Sequence, residues 1–366
     1  MKKILKTILI TCICLVVLVS MIIGIIFLVL YLKEKEYKKY SGHGFAYMHG
    51  YSSSDFTGYH VYDDEKLVKL DHEPSFIIEE EDEMPILDGA EACYPIYSAV
   101  AKTLYKDIDK IEKKVHEEVE NKTNDWSEED VRYYKCNGKI VTFTNSKEGY
   151  YRLIDGEADL FFGARPSKDQ LEYAREENKE IESVPIGKEA FVFFVEENNP
   201  LDDISCDDLR KIYSGEISNW KQLGGKNQKI IAFQRPEDSG SQVMMRYFMK
   251  DVPLKEADTV EMIDAMTGVI KKVKQYHNEK GAIGYSFRYF LEGLNQEEGV
   301  KILSVDGVYP TVESIEDGSY PILADLVVSK LKDNDKENVD KVIEFMLSDD
   351  GQEIIRKTGY GGLKQN

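Results

Sequence analysis

The chain has 366 residues, with 67 Asp and Glu against 47 Lys and Arg and a formal net charge of −20 at pH 7. Nucleic acid is excluded as a partner class, because binding a phosphate backbone needs a basic face and no basic cluster is visible. The same excess of acid repels small anions at long range, so any anion site has to work through local donors.

From Ile8 to Leu32 the chain is apolar apart from Thr11, Ser20 and small residues. At about 1.5 Å per residue this run crosses a hydrocarbon core of roughly 30 Å. It is long for a signal-peptide apolar region, and no small-residue cleavage motif follows Tyr31-Leu32-Lys33. The expectation is an uncleaved, single-pass membrane anchor with residues 1–7 cytoplasmic. Lys2, Lys3 and Lys6 precede the span and Lys33, Lys35, Lys38 and Lys39 follow it, so positive charge does not orient it. Cys12 and Cys14 lie within the span, while Cys93, Cys136 and Cys206 are far apart, which is neither a disulfide framework nor a zinc pattern. The six histidines are scattered. No metal and no cofactor is expected.

Residues 33–84 are polar, tyrosine-rich and broken by glycines, and the acidic run Glu79 to Glu83 closes them. They read as a solvated juxtamembrane spacer with a short hairpin between Tyr59 and Leu70. From Pro85 the texture changes. Strand signals at 86–89, 140–144, 158–164 and 184–195 alternate with helix signals at 96–105, 148–156 and 167–180, which predicts a parallel sheet with helical crossovers. A second α/β unit follows through 208–213 and Trp220.

Within that unit, Ile230-Ile231-Ala232-Phe233 reads as a strand, Gln234 to Ser241 as a turn, and Val243, Met244, Tyr247 and Phe248 as one helix face. The turn therefore stands at a helix N-terminus, where free amides and the positive dipole end suit an anion and Arg235 adds a formal charge. The same residues also suit plain N-capping. Strands near 281–287 and 320–328 and one last helix over Val339–Arg356 complete the pattern. Roughly 280 residues exceed one simple core, so two α/β lobes are expected.

Ile186 to Phe193, Leu209 to Trp220, Phe233 to Ser241 and Ile283 to Phe287 together resemble the solute-binding proteins of phosphate ABC transporters, the PstS-like family with the type 2 periplasmic-binding-protein fold. That family carries an Arg, three residues, then Ser-Gly-Thr; here Arg235, Ser239, Gly240 and Ser241 match. Its first phosphate loop is similar to Gly89-Ala90-Glu91-Ala92-Cys93-Tyr94-Pro95, with Cys93 in place of the Thr hydroxyl and the backbone amides of Cys93 and Tyr94 as donors. Its second loop corresponds to Thr144-Asn145-Ser146. Its Gly-Ala-Ser-Asp segment becomes Gly163-Ala164-Arg165-Pro166, so the acceptor for the proton of hydrogen phosphate is replaced, and Arg165 either adds charge to the site or points outward.

The resemblance implies a two-lobed clamp, with lobe one over residues 85–183 and 284–366, lobe two over 184–283, and long crossover strands near Phe191 and Leu326. It places the domain outside the membrane, with a small oxyanion, phosphate foremost, as ligand and an ABC transporter permease as partner. A membrane-tethered sensor or accessory protein on the same fold is the alternative. An enzyme is not expected, because Ser239 and Ser241 have no base at a recognisable spacing and no nucleophile elbow is present.

Overall fold

The computed structural model describes residues 2–40, 56–122, 127, 130, 133, 136–235, 239–256, 273, 281–294 and 298–364. The chain divides into two units, Met1–Phe45 and Ala46–Asn366. The first is one helix, α1 (Lys2–Tyr40), whose stretch Ile13–Tyr31 is 19 residues long and apolar enough to cross a membrane. Its side chains from Ile13 to Tyr31 are exposed.

The second unit has nine strands among the described residues. They are β1 (Leu87–Gly89), β2 (Leu160–Gly163), β3 (Ile181–Glu196), β4 (Asp203–Ile204), β5 (Ile231–Ala232), β6 (Ala282–Phe287), β7 (Val300–Ile302), β8 (Ser304–Val305) and β9 (Leu323–Leu331). One sheet runs β1-β2-β9-β3-β6-β5, with β7 also on β3, and β4 pairs β8 apart from it. The expected parallel sheet is in fact mixed: β1–β2, β5–β6 and β4–β8 are parallel, whereas β2–β9, β9–β3, β3–β6 and β3–β7 are antiparallel. The antiparallel contacts all come from two long strands far apart in sequence, which local periodicity cannot pair.

β3 changes partner midway, pairing β9 from Ile181 to Ala190 and β6 from Phe191 to Val195. Its residues from Ala190 to Val195 are all buried, as expected for a strand covered on both faces. β9, the strand expected to hold the second crossover, lies between β2 and β3 in the sheet.

The helices used below are α2 (Tyr94–Leu104), α3 (Ile108–Glu120), α4 (Asn145–Ile154), α5 (Lys168–Glu176), α6 (Cys206–Ser214), α7 (Gly240–Met249), α8 (Val312–Glu316), α9 (Glu337–Leu347) and α10 (Asp349–Thr358). The last expected helix is thus two. Ser348 breaks it, standing extended at φ −73° and ψ 168° while its side chain accepts from the Gly351 amide. The expected strand at 140–144 is reduced to a single bridge, Val141 to Leu87.

The solvated spacer is not what residues 56–84 form. Val61, Leu67, Ile78 and Met84 are buried in the same core as β1 and α2. The segment, here called the strap, has almost no regular structure beyond a 3₁₀ turn at Glu81–Glu83. It is fastened by single contacts instead: the Ile78 amide donates to Leu104 O at 2.8 Å, Lys106 N donates to Ile78 O at 3.0 Å, and His72 Nε2 meets Asp350 Oδ1 at 3.0 Å. The acidic run hid a row of sparse apolar anchors. Residues 41–55, the rest of the expected spacer, lie outside the described residues.

Candidate ligand-binding site

The Arg235 turn leads from β5 into α7. Ser239 is the N-cap, its hydroxyl accepting from the Gln242 amide at 3.3 Å. Gln242 is buried, and its Oε1 accepts from the Arg235 amide (3.2 Å) and from the Tyr285 hydroxyl; the Tyr285 oxygen accepts from Arg235 N at 3.0 Å. The backbone of Arg235 is therefore pinned to both α7 and β6. The side chain of Arg235 is 8% exposed. Pro236, Glu237 and Asp238 lie outside the described residues.

Ser241, in the first turn of α7, is 3% exposed and its Oγ has no hydrogen-bond partner among the described residues. A buried hydroxyl left in that state costs about 1–3 kcal/mol. Ser98 and Ser286 share it, but they sit inside α2 and β6, whereas Ser241 stands where a helix presents its unbonded amides.

A second helix N-terminus faces this one. A Cβ placed on Gly240 would lie 3.1 Å from Ser146 Oγ and 3.6 Å from Ala164 Cβ, so Ser146, at the start of α4, and Ala164, just past β2, stand directly opposite the first residue of α7. Glycine at 240 is what permits this approach. Two positive dipole ends brought together repel each other, and an anion between them turns the repulsion into attraction.

The other sequence-predicted residues are placed differently. Thr144 is buried, its hydroxyl donating to Asp88 Oδ2 at 2.6 Å and its amide to Asp88 Oδ1 at 2.9 Å, so the donor expected for a ligand is committed inside the protein. Asp88 also accepts from the Gly89 amide at 2.8 Å and pairs with Arg152, itself buried. Asn145 takes a left-handed φ of 79° and its Oδ1 accepts from Lys147 N at 2.8 Å, which makes it the working cap of α4.

The first loop is likewise committed. After β1 the chain winds into a 3₁₀ turn, Glu91–Cys93, in which Cys93 N donates to Ala90 O at 2.8 Å and Tyr94 N to Glu91 O. The two amides expected to serve an anion thus close this turn. Burial, with Glu189 nearby, pushes the Cys93 thiol up to about 12, so it stays a neutral thiol. Tyr94 is a core side chain, 2.8 Å from His60 Nδ1 through its hydroxyl and packed on Phe56 and Tyr97.

Arg165 donates from Nη2 to Asp325 Oδ2 at 2.8 Å, in a pair whose two side chains are 43% and 44% exposed. It sits beside the site through its neighbour Ala164 rather than in it. A half-exposed pair of this kind contributes only about 0–1 kcal/mol and opens readily.

Asp88 and Arg152 form the buried pair that holds the 144 loop, and sequence reasoning missed them. The available signal was a carboxylate inside the apolar run Ile86-Leu87-Asp88-Gly89, which needs a buried partner. No group of three or more His, Cys, Asp or Glu that could hold a metal occurs among the described residues.

A family model described as a PBP superfamily domain matches residues 88–350. The chain belongs to the PBP superfamily. Among curated relatives, the phosphate-binding protein PstS of Borreliella burgdorferi is 26% identical over 237 residues, which is 63% of this chain and 79% of that protein. The phosphate-binding protein PstS of Bacillus subtilis is 34% identical over 161 residues, 43% of this chain and 50% of that protein. A solved structure from Clostridium perfringens, described as a phosphate ABC transporter substrate-binding protein with bound phosphate, aligns with a TM-score of 0.51 at 20% identity, over 76% of this chain and 99% of its own. An ABC-type phosphate transport receptor from Vibrio cholerae aligns with a TM-score of 0.50 at 19% identity, over 76% and 99%. At these identities the two structures speak for the fold.

Proposed function

We propose that this chain is a membrane-anchored, extracytoplasmic solute-binding protein that captures phosphate or a similar small oxyanion between two lobes for an ABC transporter. The observation that carries this reading is the buried Ser241 hydroxyl in the first turn of α7, without a partner among the described residues and set opposite Ser146 at the start of α4. The phosphate-binding relatives supply the choice of anion.

In this proposal Arg235 supplies the charge, the Gly240 and Ser241 amides and the hydroxyls of Ser239, Ser241 and Ser146 supply directed donors, and Arg165 is held in reserve at the rim by Asp325. Ser239 accepts from Gln242 and keeps its own proton to donate. The lobes are assigned by strand pairing: lobe one takes β1, β2, β9 and the first half of β3, and lobe two takes the second half of β3 with β5, β6 and β7. This moves the return to lobe one from 284 to the start of β9. Anion binding shifts the population towards the closed arrangement. Residues 8–32 are the anchor, with residues 1–7 cytoplasmic and the C-terminal domain outside.

The sensor or accessory alternative draws on a specific observation: Thr144, Cys93 N and Tyr94 N are committed internally, which leaves the first lobe with few donors. Calorimetric titration of the full chain in nanodiscs with phosphate, arsenate and sulfate separates the two. Saturable heat with phosphate or arsenate supports the receptor. No heat with any of the three leaves the sensor.

A further inference from the structure

We propose that the strap, through Phe56 and His60, is a positioning element of the anion site; this rests on the receptor reading above. The strap comes from outside the α/β pattern, yet its first described residues stand at the backs of both lobe-one loops. The Phe56 ring lies 4.5 Å from the Tyr94 ring and 5.3 Å from the Phe143 ring, centroid to centroid. Tyr94 is the first residue of α2, directly after the loop 89–93, and Phe143 directly precedes Thr144-Asn145-Ser146. One aromatic side chain thus wedges the two loops at a fixed spacing.

His60 adds direction to that wedge. Its Nδ1 stands 2.8 Å from the Tyr94 hydroxyl, which burial keeps firmly protonated, and its ring stacks on Tyr62, which stacks in turn on His116 of α3. A ring held on two sides and hydrogen-bonded at one nitrogen has little freedom, so it fixes where Tyr94 can sit. The consequence reaches the ligand through Ser146, two residues beyond Thr144 and facing Gly240. Side chains that meet a ligand are only as well placed as the residues packed behind them. Phe56 and His60 touch no ligand; they hold the groups that set the position of Ser146.

The far end of the strap supplies the control. Ile78 is buried at the C-terminal end of α2, where its amide donates to Leu104 O. That is about 15 Å along the helix from Tyr94 at 1.5 Å per residue. If the strap merely adds stability, Phe56 and Ile78 are equivalent. If it positions the site, they differ.

The test is phosphate affinity and melting temperature of the full chain in nanodiscs for Phe56→Ala, Phe56→Leu and Ile78→Ala. Phe56→Ala is expected to weaken phosphate binding about tenfold, measured well below its melting temperature, and Phe56→Leu to restore most of it. Ile78→Ala is expected to lower the melting temperature with an affinity within about twofold of the parent. Should Phe56→Ala not fold, His60→Ala and Tyr94→Phe each remove one side of a single hydrogen bond. Their affinity losses should then not add in the double variant. Parent-like affinity in Phe56→Ala, equal affinity losses in Phe56→Ala and Ile78→Ala, or additive losses in the His60/Tyr94 pair overturns the proposal while the receptor reading stands. Absence of phosphate binding in the parent overturns both.

Discussion

The Arg235 turn and the two loops facing it are made from similar material, yet they use it in opposite ways. At the start of α7, Ser239 caps, Gln242 and Tyr285 hold the Arg235 backbone, and the buried Ser241 hydroxyl has no partner among the described residues. In the loops at 89–95 and 144–146, hydroxyl and amide donors are drawn inward, to Asp88 and to the carbonyls of Ala90 and Glu91. One side is a donor array with a buried hydroxyl that has no partner among the described residues; the other is a wall whose donors are bonded within the protein, with Ser146 facing Gly240. The family resemblance sees both as anion loops. Hydrogen-bond accounting separates them.

The sharpest way to break the wall is at its buried ion pair. Asp88→Asn keeps the shape but leaves the enclosed Arg152 opposed by an amide, with the half-exposed Glu157 at 3.5 Å as its remaining carboxylate, and takes one acceptor from Thr144. A loss of about 3–5 kcal/mol is expected by chemical denaturation, because breaking a buried pair strands the surviving charge. A loss below about 1 kcal/mol would mean that the wall does not depend on Asp88.

The next effect tests the seam behind the first loop. Glu189 is buried on β3 one residue before β3 leaves β9 for β6, with its oxygens accepting from the Ala190 and Tyr289 amides. Burial pushes its carboxyl up to about 7, against the opposing pull of Arg288 and those two amides. The folded value lies above the unfolded one, so the neutral acid is the form the fold accepts. Stability is full below about pH 4.5 and is lost as the pH rises through about 7, by roughly 3 kcal/mol. Glu189→Gln removes that loss. Its unfolding midpoint should exceed the parent's at about pH 8 and match it near pH 4.5, and a difference independent of pH would refute the assignment.

The smallest of these effects probes the waiting array itself. Ser241→Ala removes one buried donor from the turn and should weaken phosphate binding about tenfold, or ~1.4 kcal/mol, with unchanged or slightly higher stability of the unliganded chain. That pairing of signs separates a ligand donor from a structural hydroxyl. Lower stability with unchanged affinity would make Ser241 part of the wall instead.

How much of this was legible in the chain depends on whether the signal was local. The apolar run within α1 and the Ser239-capped helix α7 were readable because span length, capping residues and 3.6-residue spacing all lie within one stretch. The commitment of Thr144 was not, because it depends on Asp88, 56 residues earlier. Nor was the change of partner in β3, which pairs first with β9 at 323–331 and then with β6 at 283–287, both far downstream. The strap was misread for a different reason. Its anchors Val61, Leu67, Ile78 and Met84 follow neither a helical nor a strand period, since the segment is held side chain by side chain and not by a ladder. Composition then reported only its charge.

If anion binding depends on Arg235 and the start of α7 more than on the loops opposite, loss of the Arg235 side chain should cost most of the affinity. Phosphate titrated into the full chain in nanodiscs and into Arg235→Ala under the same conditions should give saturable binding in the parent and about 100-fold weaker binding in the variant, as expected on removing a buried charged donor from an anion. Equal affinity in the two proteins would contradict it.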